Sequence, residues 1–126
     1  MDFAAGQRWT YRAPAGFEAS RIVIGAVLSF DGSNGRVVCA AVAGAATSSA
    51  GGTGESAIIP FLPFEESAFA ATVVARDGED VPPPAFKTEM DAWLADPRGL
   101  SIFTVPFEGS LNRLIARQME KIATGV

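Results

Sequence analysis

Two apolar, β-branched runs separated by a turn-forming stretch constrain this chain more than any other feature. Arg21 to Phe30 reads Arg-Ile-Val-Ile-Gly-Ala-Val-Leu-Ser-Phe, Asp31 to Gly35 reads Asp-Gly-Ser-Asn-Gly, and Arg36 to Val42 reads Arg-Val-Val-Cys-Ala-Ala-Val. The intervening Asp, Asn and Gly residues tolerate the positive φ of tight turns, so the stretch predicts a β-hairpin. Alternation puts Ile22 and Ile24 on one face of its first strand, continued by Leu28 and Phe30, with Val23 and Val27 on the other. Both faces are largely apolar, which places this strand in the middle of a sheet.

With 126 residues there is room for one domain with a sizeable core, and residues 1–126 are expected to form a single unit. Apolar residues make up 48% of the chain and include nine Phe and two Trp, a composition of packed rather than disordered proteins. Apolar runs are broken within about ten residues, so no membrane span is expected. Met1 to Arg8 carries no basic stretch followed by an apolar one, so no secretory signal is expected either. Cys39 is the one cysteine. It permits no internal disulfide, fits a reducing cytoplasmic location, and lies in an apolar strand where it reads as a small buried hydrophobe rather than a reactive thiol. Charge is uneven: residues 1–46 carry a net +1, the remainder a net −5, for −4 in all. An acidic protein is repelled by phosphate backbones, which disfavours duplex nucleic acid as a partner.

Along the chain, Gln7-Arg8-Trp9-Thr10-Tyr11-Arg12 alternates with period two, predicting a half-buried strand with Trp9 and Tyr11 inward and Arg8, Thr10 and Arg12 outward. Pro14 to Gly16 turns the chain toward the hairpin. Residues 47–56, small, polar and Gly-rich, predict a flexible loop. Ala57-Ile58-Ile59 predicts a short strand, and Pro60 marks it as an edge strand or a strand end. Pro63 to Val73 predicts a helix, with Glu65 and Glu66 at the positive end of its dipole. Residues 76–83 read as an acidic, proline-rich connector; their carboxylates lack the Asp-x-Asp-x-Asp-Gly spacing of a calcium loop. A second helix from Pro84 to Ala95 has Phe86, Met90, Trp93 and Leu94 as its buried stripe and Lys87, Glu89 and Asp91 outward. Leu100 to Val105 predicts a strand. A last helix from Pro106 to Ile122 is expected to bury Phe107, Leu111, Leu114, Ile115, Met119 and Ile122. The expected order is β-β-β-(β)-α-α-β-α, an α+β chain without internal repeats.

The composition excludes much chemistry. Without histidine, Ser-His-Asp and Cys-His catalysis and His-ligated zinc or haem are ruled out. One cysteine cannot build a thiolate metal site, so no metal and no cofactor is expected. The acids fall mainly on loops and outward helix faces, where solvation explains them better than carboxylate-pair hydrolysis does.

Two resemblances bear on the fold. Gly6-Gln7-Arg8-Trp9-Thr10-Tyr11-Arg12, Ser20-Arg21-Ile22, and the Gly99 to Thr104 stretch resemble a family of short bacterial proteins that open with Gly-Gln-x-Trp-x-Tyr. That resemblance implies a shared fold over most of the chain and no assigned activity. Gly6, Trp9, Pro14, Gly16, Glu18 and Arg21, in that order, resemble the SH3-like barrel of MazF/PemK-type RNA-cleaving toxins. Ile22 stands where that pattern has proline. The fold expected is α+β, with a small antiparallel sheet or SH3-like barrel of about four to five strands covered by three helices.

The functional expectation is a cytoplasmic, non-enzymatic interaction module that binds a protein partner or its own copy. The alternative implied by the second resemblance is a metal-independent endoribonuclease, with Arg21 stabilising charge on the scissile phosphate and a hydroxyl of Thr47 or Ser48 assisting. The candidate binding residues are Arg8 and Arg12, which alternation puts with Thr10 on one outward face, and Arg21, expected near them at the mouth of the hairpin, the three forming a basic surface.

Overall fold

The computed structural model describes residues 3–13, 16–29, 36–46, 56–96, 102–107, 109 and 111–124. Five strands form one antiparallel sheet: β1 (Gln7–Tyr11), β2 (Arg21–Ser29), β3 (Arg36–Ala46), β4 (Ser56–Glu65) and β5 (Val73–Glu79), in the order β4-β3-β2-β1-β5. Three helices, α1 (Glu66–Thr72), α2 (Ala85–Leu94) and α3 (Leu111–Thr124), complete an α+β fold. The hairpin strands pair as expected, with β2 at the centre, while the turn at residues 31–35 and most of the expected loop at residues 47–56 lie outside the described residues.

β1 to β4 form a meander, and β5 reaches the far edge through α1. Seven helical residues span about 10 Å, whereas five flat strands put the two edges about 19 Å apart. Both edge strands also run in the same direction, so the link must travel back along the sheet. The sheet is therefore strongly bent around α1, and each strand pair except β1–β2 carries a register shift of the kind that bends a strand. It is not closed: among the described residues β4 pairs only with β3 and β5 only with β1, so the sheet is open rather than an SH3-like barrel.

The concave face holds the larger core. Trp9, Tyr11, Ile22, Ile24, Val38, Ala40, Val42, Leu62 and Phe64 meet Phe69 from α1, Leu114 from α3, and Phe3 and Phe107. Phe3 stacks edge-on against both Trp9 and Phe69, at 5.5 and 4.8 Å between centroids. The convex face carries Val37, Cys39 and Ala41, covered by Phe86 of α2.

The bulge at Gly25 corrects the expected faces of β2. Ile24 pairs with Ala40 but Ala26 with Cys39, so one extra residue flips the alternation. Val27 joins Ile22 and Ile24 on the concave face, while Leu28 moves to the convex one. Gly25 is required there because the Phe86 ring lies where a β-carbon would be.

Five other expectations change. β4 is longer than the short strand expected, running past Pro60 to Glu65. It is an edge strand, and the Pro63 carbonyl points away from β3 to accept the Phe103 N–H at 2.9 Å, so the missing proline donor costs no ladder bond. The first helix is shorter than Pro63 to Val73, because the β-branched Val73-Val74 leaves it as β5. Arg76 to Glu79, expected in a connector, belong to that strand. Among the described residues of the expected Leu100–Val105 strand, pairing is reduced to a parallel bridge between Phe103 and Phe64. The last helix begins at Leu111, beyond Gly109 at φ +106°. The observed order is thus β-β-β-β-α-β-α-α.

The apolar stripes are also narrower than expected. In α2, Phe86 is buried and Met90 and Trp93 half-buried, but Leu94 is 45% exposed. In α3, Leu114 is buried while Ile115 and Met119 are 46% and 61% exposed. Helical spacing marks a face but not how much of it the sheet can cover.

Candidate functional site

The convex face has two halves. One lies under α2; the other carries Arg8 and Thr10 from β1 and Arg21 and Val23 from β2, beside β5. Arg8 and Thr10 point away from Trp9 and Tyr11, as expected from alternation.

β5 has two extra residues relative to β1, since Gln7, Trp9 and Tyr11 pair with Glu79, Arg76 and Val73. Asp77 and Gly78 therefore oppose Arg8, and Val74 and Ala75 oppose Thr10. The outward side chains of β1 complete the broken ladder. Arg8 Nε donates to the Asp77 carbonyl at 2.7 Å. Thr10 Oγ1 donates to the Ala75 carbonyl at 3.2 Å and accepts the Ala75 N–H at 3.1 Å. Gly78 takes the positive φ, +86°, that the first bulge requires.

That bulge aims the Asp77 carboxylate at the arginines. Arg21 Nε donates to Asp77 Oδ2 at 2.6 Å, while its Nη1 donates to the carbonyls of Glu18 and Ser20 at 2.8 and 2.9 Å. Arg8 lies 3.6 Å from the same Asp77 oxygen and 3.7 Å from Asp80 Oδ2. The hydrogen bond from Arg21, reinforced by the charges of Arg21 and Arg8, holds the Asp77 carboxyl below its ordinary range. Gly16 N–H donates to Glu18 Oε2 at 2.9 Å and lowers that carboxyl as well.

Beneath this network runs a buried relay. Ser20 Oγ donates to the Ala43 carbonyl at 2.8 Å, so at the 2.7 Å contact with Tyr11 the phenol is the donor. Burial pushes the Tyr11 phenol up from its usual value. The relay fixes the 16–20 loop against the ends of β1, β2 and β3.

The result is an open cleft of about 410 Å³, lined by apolar Phe17, Val23 and Ala43 and by charged Arg8, Arg21 and Asp80. Of the three candidate binding residues, Arg8 and Arg21 meet here. Arg12 is exposed, lies outside the cleft and makes no ion pair among the described residues. Thr47 and Ser48 lie outside the described residues. The expected basic surface is corrected: Arg8 and Arg21 are matched by Asp77 and Asp80, so the surface is mixed in sign. Sequence reasoning missed the two aspartates because their segment reads as a loop. The signal present was an acidic run able to complement an arginine-bearing strand.

An Asp77 carboxylate clamped between guanidiniums stays ionised and is a poor proton donor. Burial pushes the Cys39 thiol up to about 12, which leaves it no nucleophilic thiolate near neutrality. Among the described residues no group of three metal-ligating side chains converges, and no helix is long and apolar enough to cross a membrane. Compared with family models, with curated proteins and with solved structures, the chain gives no match.

Proposed function

We propose that this protein is a non-catalytic recognition domain that binds another polypeptide through the cleft between β1, β2 and the 16–20 loop. The observation that carries the reading is the fixed Arg8–Asp77–Arg21 lattice beside a cleft lined by both apolar and charged side chains. Apolar and charged side chains side by side are common in protein–protein contact surfaces. A surface carrying both signs sets partner register rather than attracting any polyanion. Arginines already held in place give up little side-chain entropy when a partner arrives.

The endoribonuclease alternative draws on Arg21, which lines the cleft. A carboxylate 2.6 Å from Arg21 Nε occupies the position a scissile phosphate oxygen would need, which weighs against it. The test is a photo-crosslinking residue at Ala19 in the cleft, compared with one at Lys87 on α2. The expected result is one polypeptide partner crosslinked from Ala19, lost on Arg8→Ala with Arg21→Ala and absent from Lys87. Cleavage of single-stranded RNA by the purified protein, abolished by Arg21→Ala alone, would overturn the reading in favour of the nuclease.

A further inference from the structure

On the other half of the convex face, α2 and β4 border a second groove, shallow and open, of about 330 Å³. Phe61 and Pro63 come from β4, Trp93 and Phe103 complete the aromatic wall, and Glu89 and Asp96 are the acidic residues of the lining. Glu89, Trp93 and Asp96 share one side of α2 and its C-terminal turn, because their spacing is i, i+4 and i+7. The Phe61 and Trp93 rings meet at 5.3 Å and 52°, forming a corner rather than a flat stack. Both rings are half-buried, so each keeps aromatic surface open to the groove.

We infer that this groove receives an arginine side chain from a partner polypeptide, at a second contact point separate from the Arg8/Arg21 cleft. The charge of the lining selects a cation. Glu89 is exposed and carries no ion pair among the described residues, and no basic side chain is among the described residues that line the groove. The aromatic wall selects how that cation is shaped. A guanidinium is planar and weakly hydrated, stacks on indole and phenyl faces, and offers a fork of donors to a carboxylate at its edge. An ammonium is compact and strongly hydrated, and gains less from such a wall. A second copy of this chain is a poorer occupant, since it brings a net charge of −4 to an acidic lining. The inference extends the recognition reading to another surface, and the two fail separately because their signals come from different residues.

The experiment is an NMR titration of the 126-residue chain with acetyl-Gly-Arg-Gly-amide, followed at the Phe61, Trp93 and Phe103 side chains and at Arg8 and Arg21. It runs to about 10 mM, ten times the Kd of a weak single-anchor contact. Saturable shifts at those three residues are expected, with affinity falling about tenfold when citrulline replaces arginine. Glu89→Gln, at an exposed helix position that preserves the fold, is expected to weaken the arginine peptide about three- to tenfold. Four results would each overturn the assignment: no saturable shift, shifts confined to Arg8 and Arg21, norleucine binding as well as arginine, or lysine binding as well as arginine. Peptide binding at the groove without any partner at the Ala19 crosslinker would support this inference and count against the cleft instead.

Discussion

Replacing Gly25 with alanine tests how α2 is seated on the sheet. A β-carbon at that position would lie 2.3 Å from Phe86 Cζ and 2.5 and 2.7 Å from its two Cε atoms. Carbon atoms in contact rest at about 3.5–4.0 Å, so the ring must retreat by more than about 1 Å. It has little room to do so: Phe86 is 4% exposed and Phe61 stands beside it at 5.6 Å between centroids. Over-packing of this kind costs about 1–3 kcal/mol, and alanine recovers about 0.4–1 kcal/mol by narrowing the unfolded ensemble. The expected net loss is about 1–2 kcal/mol. Phe86→Ala alone should cost more, about 3–5 kcal/mol, because it empties the site. In the double variant the new methyl group sits in the space the ring has left. Adding Gly25→Ala to Phe86→Ala should therefore be neutral or stabilising, a coupling of about 1–3 kcal/mol. Urea unfolding followed by far-ultraviolet circular dichroism measures all four proteins, with unchanged m-values as the check on two-state behaviour. Gly25→Ala at or above wild-type stability, or costs that simply add, would refute the seating of Phe86 on this glycine.

Three further outcomes are expected. The Asp77 carboxyl is depressed, so its stabilisation is fully present above the ordinary carboxylate range and lost as pH falls through the lowered value. Asp77→Asn should flatten the acid limb of a melting-temperature profile, and an unchanged limb would disprove the coupling. Thr72 Oγ1 donates to the Ala68 carbonyl and accepts the Phe107 N–H at 2.9 Å in a buried position. Thr72→Val strands that N–H and should cost about 1–3 kcal/mol in chemical denaturation, whereas an isosteric swap without loss would show that the bond contributes nothing. Cys39 is fully buried with its thiol pushed up to about 12, so a thiol reagent at neutral pH should label it only at the rate of unfolding. Rapid labelling of the native protein would place that strand at the surface.

What was legible in the residues followed from period and from side-chain shape. Trp9 and Tyr11, two apart, announced β1, and the β-branched runs announced β2 and β3. Phe86, Met90 and Trp93 marked the inner side of α2, although Leu94 lies beyond the sheet's reach. What was not legible depends on partners distant in the chain. Pro60 is compatible with an edge strand, but Pro63 reads as the first turn of a helix until β4 is known to run to Glu65 with that proline facing outward. Leu28 changes face because Gly25 must make room for Phe86, which belongs to another element. Arg76-Asp77-Gly78-Glu79 has the composition of a turn, and it lies in a strand whose bulges are completed by Arg8 and Thr10. The candidate site was half visible for the same reason. Arg8 and Arg21 are legible as arginines of neighbouring strands, but the carboxylates that organise them sit in a segment with the composition of a turn.

The short bridge at Phe103 has a consequence for how this chain behaves at high concentration. An exposed edge strand is a template on which other copies can stack, and a sequence 48% apolar gives such stacking every encouragement. Near its C-terminal end β4 carries an outward donor at Glu65 and an outward acceptor at Pro63, and Phe103 takes both at 2.9 Å. Proline at 63 supplies no further donor on that side. The edge is thus closed from within the same molecule by a bridge centred on one residue. Any event that lifts Phe103 away, whether truncation after α2 or partial melting of α3, uncovers backbone groups ready to nucleate cross-β fibres.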